Sequence, residues 1–300
     1  MEAAGLSAGT GKRSAGRRLA DLFHGRPRLQ VGALLAGPIG WLVVAYLGSL
    51  LVMFAASFWT LSDLSGEVDK SFSLENFQTI VTESVYRSIA GRTIGVAALV
   101  TVTDALLALP IAFFMAKLAT PRARALLVVA VLMPLWSSYL VKIFAWRTML
   151  SPDGIINWAL SPVGLSLPGD DIFRLWLVMS YLWLPYMIIP VYAGLERIPN
   201  SLISASEDLG AKPGTTFRKV ILPLAFPAIV AGSIFTFSLT LGDYIAPQLL
   251  TKTQFIGNVV YSNIGVAGNL PFAAAYALVP VLVMIVYLLI ARRLGAFREL

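Results

Sequence analysis

The chain has no cysteine and a single histidine, and each shortage removes a class of chemistry. Without thiols there is no disulfide framework, no thiolate metal site and no cysteine nucleophile. His24 stands in a basic stretch with no partner at ligand spacing, so structural zinc and histidine catalysis have nothing to build on. Charge is scarce too: 13% of the 300 residues are charged against 57% hydrophobic, and the mean hydropathy is +0.77. A soluble globule needs about a quarter charged residues, so the solvent for most of this chain is lipid. No internal repeat is visible, which argues against a transporter built from two pseudo-symmetric halves of one chain. A nucleotide-binding loop is also lacking. Gly5, Gly11 and Lys12 match one loosely, but Arg13 replaces the required Ser or Thr, the spacing is one residue too long, and no strand precedes it.

What the chain does have is long apolar runs. A hydrocarbon core of about 30 Å takes about 20 helical residues. Six runs are long enough to cross it, near 33–59, 89–116, 125–149, 172–195, 224–246 and 273–291. Basic residues mark one side: Lys12, Arg13, Arg17, Arg18, Arg26 and Arg28 before the first run, Lys117, Arg122 and Arg124 after the second, and Arg292, Arg293 and Arg298 after the last. The opposite gaps hold Asp63, Glu67, Asp69, Glu75 and Glu83, then Asp153, Asp170 and Asp171, then Lys252 alone. The expected fold class is therefore an all-α integral membrane protein of six transmembrane helices with both termini cytoplasmic. Residues 1–32 form a basic cytoplasmic tail and residues 33–300 the transmembrane domain. The first run is about twice as long as the 7–15 apolar residues of a signal peptide and is expected to stay as an anchor. Sidedness accounts for the net charge of +7, and no nucleic-acid partner is expected.

One polar segment is punctuated more tightly than a solvating loop requires. Between the fourth and fifth runs, Asn200 or Ser201 is placed to cap a short helix, Gly210 to end it, Pro213-Gly214 to turn the chain, and Pro223 to open the next apolar segment. The order Ala205, Asp208-Leu209-Gly210-Ala211, Phe217, Leu222-Pro223, Pro227 resembles the EAA loop of permease subunits of bacterial ABC importers of the six-helix, type I fold. Ser204 stands where that signature has Glu and Ser206 where it has a second Ala, with acids following at Glu207 and Asp208. The family's usual ionic contact at the first position therefore lacks its acid. The resemblance implies that residues 196–223, Ser204 to Ala211 with Phe217 and Pro223 above all, couple the chain to a cytoplasmic ABC ATPase dimer. It also implies a second permease subunit of the same fold, either another copy or, more often in this subgroup, a related chain, together with an extracytoplasmic substrate-binding protein and an inner-membrane location. No cofactor is expected on this chain, because ATP and Mg belong to the ATPase.

Polar residues inside the runs are the candidates for the solute path. An unpaired carboxylate at mid-membrane costs about 3 kcal/mol even on the gentlest scale, so Asp104 must meet either water on a path or a Thr, Ser, Tyr or Arg92 partner. Gly242-Asp243-Tyr244 precedes Ala246-Pro247, where Pro247 is expected to end the fifth helix. This pattern, and the aromatic run carrying Trp136, Tyr139, Lys142, Trp146 and Arg147, resemble permeases of the spermidine/putrescine type. Asp243 either lines the path or braces the outer gate, and the aromatics are either belt residues or a face for an alkylammonium. Gly91 and Gly95 are read as a site of close helix approach. The resemblance implies a polyamine as solute, with an opine, an amino-acid-like compound, a sulfonate or a metal ion as alternatives. An integral membrane enzyme would need convergent nucleophiles, metal ligands or paired acids at one depth, and none is found. A stand-alone channel or secondary transporter would not need the loop.

Overall fold

A computed structural model describes residues 27–62 and 65–293. The basic residues between 1 and 26, His24 among them, together with Asp63 and Arg298, lie outside the described residues. The chain divides into two compact units, residues 1–55 and 56–300. The described part of the first is helical from Pro27, earlier than the expected start at 33, and contains the span α1 (Leu34–Ala56).

The second unit is helical apart from a two-residue antiparallel ladder, β1 (Thr60–Leu61) with β2 (Val68–Asp69), paired Thr60 to Asp69 and Leu61 to Val68. Its helices are α2 (Glu75–Thr82), α3 (Ser84–Leu118), α4 (Pro121–Trp136), α5 (Tyr139–Met149), α6 (Ile155–Leu160), α7 (Asp171–Arg197), α8 (Asn200–Asp208), α9 (Pro213–Gly242), α10 (Ile245–Leu250), α11 (Ile256–Gly265) and α12 (Leu270–Arg293). Four of these, α3, α7, α9 and α12, are each long and apolar enough to cross a membrane unbroken.

The third expected span is not one rod. α4 and α5 meet at 94° across Ser137-Ser138. Pro134 weakens the last turn of α4, and its carbonyl is covered by the Ser137 hydroxyl (2.8 Å) and the Lys142 ammonium (3.1 Å). Because these donors satisfy the backbone within the protein, the chain can turn there at no unpaired polar cost.

The fifth span also differs at both ends. It begins at Pro213, which occupies the first helical position, and the tight turn falls at Gly210 instead of Pro213-Gly214. Pro223 lies inside the span, just beyond a π-turn over Phe217–Ile221 in which the Leu222 N–H reaches back to the Phe217 carbonyl. Such a wide turn accommodates a proline that cannot donate. The span ends at Gly242, and Pro247 falls in the first turn of α10, where a missing N–H leaves no bond unmade.

The core is a trio: α7 packs most extensively against α3 and α9, and α3 against α9. One cluster, at the end of the trio near α8, joins Ala108, Met115, Met187, Val191, Leu195 and Ala225. A second, toward the end near α5 and α10, joins Val100, Ile143, Leu175, Met179, Leu182 and Phe255. The close approaches are not at Gly91 and Gly95, where an added methyl would meet nothing within 4 Å. A Cβ on Gly194 would stand 2.2 Å from the Ala228 Cβ, and one on Gly232 would stand 2.7 Å from the Met187 sulfur. Small residues let these helices touch where lipid supplies no hydrophobic drive. Gly194→Val should therefore lower the melting temperature of the detergent-purified protein, by an overpacking cost of about 1–3 kcal/mol. Gly95→Ala should leave that temperature unchanged or raise it.

Candidate functional site

The break between α9 and α10 and the break between α4 and α5 meet in space. Asp243, extended after Gly242, accepts from the backbone N–H groups of Ile245 (2.9 Å) and Ala246 (3.3 Å) through Oδ1. It thereby caps α10 in the manner of an N-cap carboxylate. Its Oδ2 accepts the hydroxyl of Tyr139, the first residue of α5. The Tyr139 ring stacks on Trp183 of α7 with centroids 5.8 Å apart, and Trp183 lies against Tyr186 at 6.0 Å. On the other flank Tyr244 stacks on Tyr261 of α11 at 4.8 Å, and Asn258 donates to the Tyr244 carbonyl at 2.9 Å. Gly257 permits this, since a Cβ there would come within 2.8 Å of the Asp243 carbonyl oxygen.

Tyr139, Trp183, Ser238, Asp243 and Tyr244 wall a cleft of 390 Å³. A carboxylate flanked by aromatic faces attracts an alkylammonium by charge and by the ring quadrupoles together. The Trp183 indole N–H is buried without a partner among the described residues and is a donor still to be used.

Of the expected path residues, Tyr139, Asp243 and Tyr244 come together here and two do not. Trp136 is 88% exposed at the end of α4 and does not line the cleft. Asp104 is fully buried, at 0% exposure, on α3. Arg92, one expected partner, bonds the Gln254 carbonyl (3.2 Å), and the flanking Thr101 and Thr103 bond the carbonyls of Ala97 (2.7 Å) and Leu99 (2.8 Å). Ser180 on α7 is the hydroxyl set against Asp104, yet neither side chain closes a hydrogen bond. Trp183 and Ser238 were missed from the sequence. The signal for Trp183 was an indole in mid-span two residues before Pro185.

At the opposite end of the trio lies the polar loop. α8 has Pro199 as its flanking residue, with no side-chain cap from Asn200 or Ser201. It closes on Gly210, whose φ of +79° only glycine adopts freely, with Ala211 N–H reaching Ser206 O at 3.1 Å. Ser204, Ala205, Glu207, Asp208 and Gly210 are exposed, and Leu209 is 89% exposed. The loop's rear is anchored: Ser206 and Thr216 hydroxyls lie 3.0 Å apart, and Phe217 packs edge-on against Phe113 at 5.8 Å. Lys117 bonds the Ile198 carbonyl (2.6 Å) and Asn200 (3.2 Å), tying α3 to the start of α8. Arg124 bonds the carbonyls of Met115 (3.0 Å) and Ala116 (3.2 Å) and pairs with Glu196 (3.4 Å). These two cations, which in the sequence mark only a side of the membrane, brace the loop to three helices.

A family model described as a binding-protein-dependent transport system inner membrane component matches residues 89–297. The inner membrane ABC transporter permease protein YdcU of Escherichia coli (strain K12) is 44% identical over 299 residues, covering 94% of this chain and 95% of its own. The spermidine/putrescine transport system permease protein PotB of Haemophilus influenzae is 31% identical over 244 residues, covering 79% and 84%. In fold, a chain of a bacterial ABC transporter that imports the acidic polysaccharide alginate superposes with a TM-score of 0.73 at 18% identity, over 94% of this chain and 99% of that one.

The two carboxylates should separate in stability. Asp243→Ala removes a helix cap, worth about 0.5–2 kcal/mol, and the Tyr139 bond, and is expected to lower the melting temperature. Asp104→Asn replaces a buried carboxyl group that has no hydrogen bond to lose and is expected to leave that temperature unchanged or raise it.

Proposed function

The chain belongs to the family of binding-protein-dependent transport system inner membrane components, and on that premise we propose that the solute it passes is a polyamine. It is a multi-pass inner-membrane permease subunit of an ABC importer, not an enzyme. The observation that carries the choice of solute is the cleft in which Asp243 lies between Tyr139, Trp183 and Tyr244. A di- or polyamine offers ammonium groups for the carboxylate and for cation–π attraction, and methylene segments for the ring faces. The PotB relatives, whose names give spermidine and putrescine, support the same reading. A sulfonate would bring its charge against that of Asp243.

In this reading both termini are cytoplasmic, and a related permease subunit closes the open side of the cleft. A solute-binding protein delivers from outside, and ATP and Mg act on a separate ATPase pair. That motor grips α8 and its Leu209–Gly210 end, and the brace of Lys117, Arg124 and Glu196 carries the motion into α3, α4 and α7. ATP then favours one of two states of the bundle, and hydrolysis restores the other.

The test is the reconstituted transporter with labelled putrescine and spermidine. Trp183→Leu should raise the half-saturating solute concentration about 2- to 30-fold, the equivalent of one cation–π contact. Asp243→Asn should impair uptake more than Asp104→Asn, and equal, negligible effects of both would remove the carboxylate from the path. For the brace, Lys117→Met should keep the ATPase bound through affinity purification but lower the solute moved per ATP hydrolysed. An unchanged ratio would reduce Lys117 to a helix cap.

A further inference from the structure

The ends of α5 and α10 away from the Tyr139–Asp243 contact converge on a second pocket, of 330 Å³. Its walls are the end of α5 and the turn beyond it, the first turn of α7, and the chain leaving α10. Three cations line it, Arg147, Arg174 and Lys252, against one carboxylate, Asp171. Asp171 accepts the backbone N–H of Lys252 at 3.4 Å and sits 3.9 Å from Arg174, a long and weak pairing. Arg147 and Lys252 are exposed, and among the described residues they enter no ion pair shown by the structure. The Arg174 Nε is buried with no hydrogen-bond partner. The pocket thus keeps a surplus of two positive charges and an unused guanidinium donor, at the end of the bundle opposite the Lys117–Arg124 brace.

The geometry points to this pocket as the receptor for an acidic side chain of the extracytoplasmic solute-binding protein. This rests on the importer reading above. A carboxylate fits because Arg147 and Arg174 offer planar donors, and paired, partly desolvated charges set orientation and association rate in protein docking. The position adds a consequence that a random basic patch would not have. α5 and α10 each run from the Tyr139–Asp243 contact to this pocket, so an occupant touches the far ends of the two short helices whose near ends wall the solute cleft. Arrival of the loaded binding protein is thereby sensed at the cleft through two helices of 11 and 6 residues.

The test measures ATPase stimulation of the reconstituted transporter against the concentration of its solute-loaded binding protein, at low and high salt. Arg147→Glu/Lys252→Glu should raise the half-maximal concentration at least tenfold. The wild type should weaken as salt rises while the double variant does not. Copurification of the ATPase with the variant reports that it is folded and assembled. A half-maximal concentration and a salt response equal to wild type would overturn the proposal. It would be overturned equally if the defect appeared only in vesicles containing anionic lipid and vanished in zwitterionic ones, since the pocket would then hold a phospholipid headgroup. A wild-type transporter indifferent to every binding protein would instead sink the importer reading.

Discussion

A backbone carbonyl or N–H that leaves a helix inside a membrane must find its partner within the protein, because lipid offers none. In the second unit the breaks near the two ends of the trio meet this demand with side chains. Ser137 and Lys142 cover the Pro134 carbonyl, Asp243 takes the first amides of α10, Asn258 takes the Tyr244 carbonyl, and Lys117 and Arg124 take the carbonyls at the ends of α7 and α3. The groups that seal the breaks are also those that form the cleft and brace the loop. The same residues therefore close the backbone breaks and shape the cleft and the loop at each end of the bundle, while the middle of the trio is packing.

Asp104 and Asp243 show how differently one side chain type is used. Asp243 has three donors, two of them backbone, and stands at the rim of a cleft. Asp104 is enclosed between helices with no donor in bonding geometry. The sequence placed the two at different depths, and the helix break beside Asp243 is what gives that side chain its donors.

Much of this was legible in residue order. Apolar length located the spans, and the Gly210 stop and the polar composition around it located α8. Four things were not legible, each for a physical reason. Composition stays apolar across Ser137-Ser138, so a right-angled bend leaves no trace in hydropathy. Proline reports only a missing N–H: Pro223 and Pro247 were read as boundaries, whereas one is absorbed by a π-turn and the other by a first turn. Glycine reports only a missing side chain, so Gly91 and Gly95 were read as a close approach, whereas the contact lies at Gly194, opposite Ala228. Lys117 and Arg124 were recognised as charges, but their carbonyl partners are distant in sequence or on a neighbouring helix.

The contact of Gly194 with Ala228 and of Gly232 with Met187 leaves α7 and α9 no slack along their shared face. Helices so interlocked cannot slide past each other without first separating. α7 and α9 therefore move as one body, bounded by the chain breaks at residues 198–200 and 243–244. A displacement of either helix carries the other with it.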